Sequence, residues 1–442
     1  MVLVTLSVLV SRSGYRILGA CLKIIRALGG FPYSWKDVER PSRSFEKALG
    51  KIKPRAGILN GLPYFFEKKL SLAVYSWLFT ALMAVHTGAY TVLKVLQSKD
   101  LATTTADVAQ TIGMVVVAVS SFGLLSNLAF NNPSLFVLAS RLHAIVSHAR
   151  EHPWKPHRDV LFMITLLVCE ATFAVDCYEC THHIVNLILY TEVTFMVMYL
   201  SLGFFLLLVM LNAVMAGTMF LYYALSRFMA SGYEHILHAP KARLPRTRSG
   251  RVEEPQVAPV FLPSPAGEAE ASFVRLLAAK GKGEVSVTAV SHEDLRLAED
   301  IVEDLHEYQR RFNKYFSLAA LLVQLQSVIT VTVSIFVVFT TGGSMGVYAR
   351  ILHQTCFLVL LCCGPDGVNF RREQLFTSIM ELRRRCDGDM DSKMSRLLDL
   401  LHTFPDYDMG RCLTLSRSNL ISISGFVATY LVILVQFKQG EM

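Results

Sequence analysis

Seven stretches of this chain are apolar for long enough to cross a lipid bilayer, and few folds accommodate that. A spanning helix needs about 20 mostly apolar residues, because the hydrocarbon core is about 30 Å thick and each helical residue rises about 1.5 Å. The runs fall at roughly 72–96, 108–130, 159–176, 190–224, 317–341, 346–364 and 419–437. Backbone polar groups in lipid must be satisfied within their own segment, so each run is expected to be a helix. Composition agrees: 52% of the 442 residues are apolar and only 18% are charged, and the mean hydropathy is +0.41, outside the range of ordinary soluble domains. The expected fold class is all-α, a polytopic membrane protein with seven transmembrane helices. The opening MVLVTLSVLV is too short to span and lacks a basic leader. It reads as an amphipathic N-terminal helix, with a cleaved signal as the alternative.

Orientation follows from the cations, because cytoplasmic loops retain Lys and Arg. Of 43 such residues, 13 precede the first span, 4 lie between spans two and three, 13 between four and five, and 9 between six and seven. Only Lys94, Lys99, Arg350 and Lys438 fall on the other side. This sorting predicts a cytoplasmic N-terminus and an extracellular C-terminus, the reverse of a G-protein-coupled receptor. Topology thus accounts for the net charge of +8, with no need for a nucleic-acid partner. Anionic lipid contact by the basic N-terminal tail is the simpler consequence.

The loops sort the chain further. Residues 1–71 form a cytoplasmic basic segment, and 72–235 hold spans one to four with a cytoplasmic extension of the fourth. The stretch 236–290, rich in Pro, Gly, Arg and Ala, reads as disordered linker. From 291 a cytoplasmic helix, capped by Ser291 and carrying Leu295, Ile301, Leu305, Tyr308 and Phe312 at helical spacing, continues into span five, and span six follows to 364. Residues 365–418 are expected to be cytoplasmic anchor helices, and 419–442 the last span and a short extracellular tail. The external loops QSKDLATTTA, DCYECTHHIVNL and TGGSM are short, so a ligand from outside has to bind among the helices. Within the second of them, Cys177, Cys180, His182 and His183 have the donor types for Zn²⁺, against a strained disulfide or two free thiols. Adjacent histidines in a short loop make tetrahedral closure awkward, and no metal is expected. Cys362 and Cys363, at the cytoplasmic end of span six, read as apolar filler, with palmitoylation as the alternative.

The final span carries an unusual face. Thr429, Ile433, Gln436 and Phe437 stand at i, i+4, i+7 and i+8, with Tyr430 and Leu434 flanking them. A face that mixes apolar bulk with a wettable amide suits a gated pore. It also suits an interfacial glutamine beside an aromatic belt residue.

The same residues, Thr429-Tyr430, five aliphatic residues LVILV, then Gln436-Phe437, resemble the TYhhhhhQF signature that ends the seventh helix of arthropod gustatory receptors. That family belongs to a chemosensory superfamily that includes insect odorant receptors. GRCLTLSRSNLISISGFVA before the motif and LKIIRALGGFPYSW near the N-terminus are similar to that family's corresponding segments. The resemblance implies a ligand-gated, non-selective cation channel in a chemosensory plasma membrane, assembled as a homotetramer or with related subunits as a heterotetramer. It implies a central pore lined by Thr429, Ile433, Gln436 and Phe437 beside Tyr430, with Ile433 or Phe437 closing it, and cytoplasmic helices as the inter-subunit anchor. It further implies a small-molecule tastant in the outer half of the other helices. Candidates there are Gln110, Thr111 and Met114 in span two, Glu170 in span three, and Tyr190, Glu192 and Tyr199 at the entry to span four. Thr330, Ser334 and Phe336 in span five and His353 and Gln354 in span six complete the set. An ionisable Glu170 within a span is a functional candidate because burying it unpaired is costly; a protonated carboxyl, or a structural pair with a neighbour such as His353, is the alternative.

No paired-acid, HExxH or GxSxG arrangement supports a polytopic enzyme, and nothing calls for a cofactor. A secondary transporter would show broken midplane helices in two related halves. Gly113 and Gly123 hint at a break in one, and no second half repeats them.

Overall fold

In the computed structural model the described residues are 105–130, 156–190, 195–238, 292–384, 389–409 and 413–440, with short stretches at 21–23, 25–27, 33–37, 64–68 and 74–82 and a few single positions. Helix dominates: α1 (Thr105–Phe130), α2 (Val160–Tyr190), α3 (Phe195–His238), α4 (His292–Thr341), α5 (Met345–Arg383), α6 (Asp389–His402) and α7 (Ser418–Gly440). Residues 74–82 of the first expected span are also helical. Among the described residues five helices are long and apolar enough to cross a membrane, through Thr111–Leu128, Val160–Glu179, Ala298–Thr340, Met345–Arg383 and Ser418–Gly440. The expected linker at 236–290 lies outside the described residues apart from the end of α3.

Two antiparallel ribbons add to the all-helical reading. Strand β1 (Tyr33–Asp37) pairs with β2 (Tyr64–Lys68), Trp35 opposite Phe66, and β3 (Asp408–Met409) pairs with β4 (Leu413–Thr414). Their sequences are short, and the first pairing bridges residues far apart in the chain, so no local period announces either.

At 50 residues, α4 is about 75 Å long at 1.5 Å per residue, more than twice the bilayer core. Its N-terminal half buries Leu295, Ile301, Leu305, Tyr308 and Phe312, the positions expected from their spacing. They meet Met394, Leu397, Leu398 and Leu401 of α6, followed by Phe404 and Tyr407, and the end of α3 through Phe228 and Tyr233, in one continuous core. Tyr407 packs edge-on against Phe312 with centroids 5.8 Å apart, and Tyr233 likewise meets Phe404 at 5.9 Å. Burial pushes the Tyr233 and Tyr407 phenols above their ordinary range.

One buried carboxylate ties this helical platform to the spans. Asp159 caps α2, its Oδ1 accepting from Phe162 N at 3.3 Å. It also accepts from Trp154 Nε1 at 3.2 Å and Tyr223 OH at 3.1 Å, and pairs with Arg227 Nε at 2.9 Å. Trp154 then lies edge-on to Phe162 and Phe228.

The apolar run of the sixth span ends at 364, yet α5 continues through Pro365 to Arg383. A proline inside a helix cannot donate to the carbonyl four residues earlier, here Leu361. Tyr222 OH donates to that oxygen instead, at 3.4 Å, which lets the helix run on. Between α4 and α5 the turn uses Gly342 at φ +79°, a conformation that costs glycine little.

Candidate ligand cleft and the exposed last helix

The charged cluster begins where α5 begins. Ser344 caps α5, and the carboxylate of Glu179 from α2 sits against that helix N-terminus, its Oε1 accepting from Gly346 N at 2.9 Å and Ser344 Oγ at 3.0 Å. Donors and dipole both favour an anion there. A Cβ at Gly346 would overlap the Glu179 carboxylate, so glycine is required for the approach. Arg350, one turn into α5, reaches Glu179 Oε2 at 3.5 Å and donates from Nε and Nη2 to Asp176 Oδ1 at 3.4 Å. Asp176 Oδ2 accepts from Asn212 Nδ2 of α3 at 3.3 Å. Three helices are thereby joined at one end of the bundle by two carboxylates, one guanidinium and one amide.

Below this cluster lies a cleft of about 340 Å³, its open mouth included, lined by Cys169, Thr172, Phe173 and Asp176 of α2, Val209, Asn212, Ala213 and Ala216 of α3, and His353 of α5. Most of that space is the open mouth: the enclosed part is about 20 Å³, room for about one water or a group of that size. Thr172 Oγ1 donates to Val168 O at 2.8 Å and approaches Ala349 O at 3.3 Å. His353 is 3% exposed and rests on Phe357 with ring centroids 4.3 Å apart. Its Nε2 has no hydrogen-bond partner among the described residues.

The last helix is built in the opposite way. Only Ile423 of α7 is buried. Thr429, Tyr430, Ile433, Gln436 and Phe437 are all exposed, Phe437 at 65%. Thr429 Oγ1 returns to Gly425 O at 2.9 Å, and Tyr430 stacks on Phe426. An apolar helix left this bare in a single chain presents a surface for lipid or for other chains.

The sequence matches the family described as 7tm Chemosensory receptor over residues 57–441. The chain belongs to that family. Its fold is similar to the insect olfactory receptor OR5 of Machilis hrabei, at a TM-score of 0.58 and 12% identity over 96% of this chain and 98% of that one. The same receptor solved in complex with eugenol gives a TM-score of 0.59 and 11% identity over 95% and 97%. A search of curated protein sequences finds no match.

In this chemosensory receptor the expected ligand residues are scattered. His353 lines the cleft, whereas the adjacent Gln354 turns to α4 and accepts from Ser327 Oγ at 2.8 Å. Ser334 and Phe336 are buried on α4, with Thr330 half-buried there and Thr111 half-buried on α1. Glu170 is half-buried on α2 beside Cys169. The His353 Nε2 is not taken up by Glu170, so the alternative of a pair through that nitrogen is not realised. Gln110 and Met114 lie on α1 and Tyr199 on α3, their side chains outside the described residues, as is Glu192 altogether. Tyr190 ends α2 rather than opening the fourth span.

That last point corrects the second external loop. CYECTHH is helical, since α2 runs unbroken to Tyr190. Cys177 is a free thiol. His182 stands within 3.2 Å of Asn186 one turn on, in hydrogen-bonding distance, and its ring stacks on Tyr178. Polar residues interrupt the hydropathy there without breaking the helix. Recognising it would have placed Asp176 and Glu179 three apart on one helical face, and that pair, with Asn212 and Arg350, is what sequence reasoning missed.

Proposed function

We propose that this receptor is a gustatory-type subunit of a ligand-gated, non-selective cation channel in the plasma membrane. Four copies surround a pore lined by α7, and a small tastant held in the α2–α3–α5 cleft opens it. The N-terminus and the helical platform are cytoplasmic, so the Ser344 end of the bundle and its cleft face outward. The single observation that carries the reading is α7: an apolar helix almost unburied in one chain, with Thr429, Ile433, Gln436 and Phe437 along one exposed face. The TYLVILVQF segment that resembles gustatory receptors is this same face. The likeness to an olfactory receptor solved with a bound small molecule supports a ligand-responsive fold.

Four apolar side chains around an axis exclude water and hence ions, whereas a rotated or splayed helix brings Gln436 inward and wets the path. Ligand opens the pore only by binding the open state more tightly than the closed one. The test is oocyte recording of the chain, with surface labelling, against sugars, bitter alkaloids, amino acids and amines. A ligand-evoked cation current is expected, and Ile433→Ala with Phe437→Ala is expected to raise the basal current several-fold. A double variant that reaches the surface and stays silent would remove this gate.

A further inference from the structure

We propose that the α2–α3–α5 cleft selects a small organic ammonium ion, bound between Asp176 and His353. This rests on reading the cleft as the ligand site and adds the chemistry of what enters it.

The first argument is charge. The cluster holds two carboxylates, Asp176 and Glu179, against the single guanidinium of Arg350. Glu179 is well served by the α5 N-terminus, with two short hydrogen bonds from Gly346 N and Ser344 Oγ. Asp176 is not: its contacts to Arg350 and Asn212 are all 3.3–3.4 Å long, at the weak end for charge-assisted bonds. Its side chain is only 4% exposed. Of the described residues lining the cleft, Asp176 alone is charged, and Arg350 is not among them. The cavity therefore shows an incompletely compensated carboxylate to whatever enters.

The second argument is hydrogen-bond type. Thr172 has committed its hydroxyl proton to backbone carbonyls of α2 and α5, which leaves the cleft only its lone pairs. The orphaned Nε2 of His353, in a ring 3% exposed and on the cleft wall, accepts when the ring proton sits on Nδ1. Asp176 can only accept. A primary ammonium carries three donors and no acceptor, and so matches a site whose free capacity is acceptor capacity. A hydroxyl ligand brings one donor and leaves the charge of Asp176 unmet. Phe173 adds an aromatic wall, and Val209, Ala213 and Ala216 line the cleft apolarly, so the water-sized ammonium head enters and a short aliphatic tail lies toward the mouth.

The test is direct binding to the purified full chain in nanodiscs, by calorimetry at neutral pH, with 3-methylbutylamine and its near-isostere 3-methylbutan-1-ol. The amine is expected to bind at least tenfold more tightly than the alcohol. Asp176→Asn, which keeps the shape and removes the charge, is expected to cost the amine at least tenfold and the alcohol little. Ala213→Leu, which fills the cleft and leaves every charge in place, is expected to weaken both, and it decides the location should Asp176→Asn fail to fold. Equal affinity for amine and alcohol, no amine binding up to tens of millimolar, or amine binding unmoved by Ala213→Leu would overturn the proposal. Binding is read without current, so an amine-binding chain that conducts nothing would remove the channel and keep the ligand class.

Discussion

Individual side chains in this receptor differ in importance because their burial differs. Asp159 is 8% exposed and serves four donors on three segments. Asp159→Ala would leave the cap of α2 open, the Trp154 and Tyr223 donors unpaired and Arg227 without its counter-ion. Breaking a buried pair costs about 3–5 kcal/mol, and Arg227 keeps 35% of its side chain in solvent, so a loss of about 2–3 kcal/mol is expected after screening. The pair of Arg417 with Asp366 is shorter, at 2.7 Å, but 68% and 31% exposed, and Arg417→Ala should cost less than about 1 kcal/mol. Thermal melting of both variants in detergent checks the contrast. A loss at Arg417→Ala as large as that at Asp159→Ala would mean that desolvation does not rank these contacts.

At the scale of elements, the helices were legible wherever apolar length or helical spacing recorded them. The buried platform face of α4 could be read residue by residue, and so could the helical extent of α7. What escaped depended on partners distant in sequence or on polar helix: the β1–β2 ribbon, the α2 extension through CYECTHH, and Asp176, whose Arg350 lies 174 positions on. The cleft needed three helices to be docked before its residues had any common address. The platform also carries a pH prediction. Burial holds the Tyr233 and Tyr407 phenols above the unfolded value of about 10, so the folded state retains protons that the unfolded chain releases. Their contribution is complete below pH 10 and is lost as pH rises beyond it, by up to about 1.4 kcal/mol per pH unit for each phenol. Tyr407 OH makes only a 3.7 Å contact to Met229 Sδ and Tyr233 OH has no partner among the described residues, so Phe at both positions should cost little at neutral pH. Melting followed from pH 8 to 11.5 should show a flatter alkaline decline in the double Phe variant. Parallel curves would mean that neither phenol is buried.

At the scale of the whole molecule, α7 poses a question that one chain cannot answer. Its neighbours in the fold bury a single side chain, Ile423, out of 23 residues. Lipid would cover a uniformly apolar helix at no cost, and exposed apolar side chains such as Ile421 and Val432 need nothing more. Gln436 is different, because an amide within a span has to find water or a partner. It shares its face with Thr429, Ile433 and Phe437, so that face meets lipid poorly and a wet, protein-lined axis well. Copies of the chain around such an axis, as proposed, would satisfy the amide with water and neighbouring amides, and the long platform helices would hold them together below the membrane. The expected particle in mild detergent has about four times the 49.4 kDa of one chain. Gln436→Cys should form disulfide-linked dimers under mild oxidation, since symmetry brings equivalent positions together at the axis. Val427→Cys, half a turn around the helix from Gln436 and half-buried against the fold, should not. A particle of one chain's mass, or cross-linking at position 427 in place of 436, would leave the Gln436 face away from any shared axis and the receptor without a shared pore.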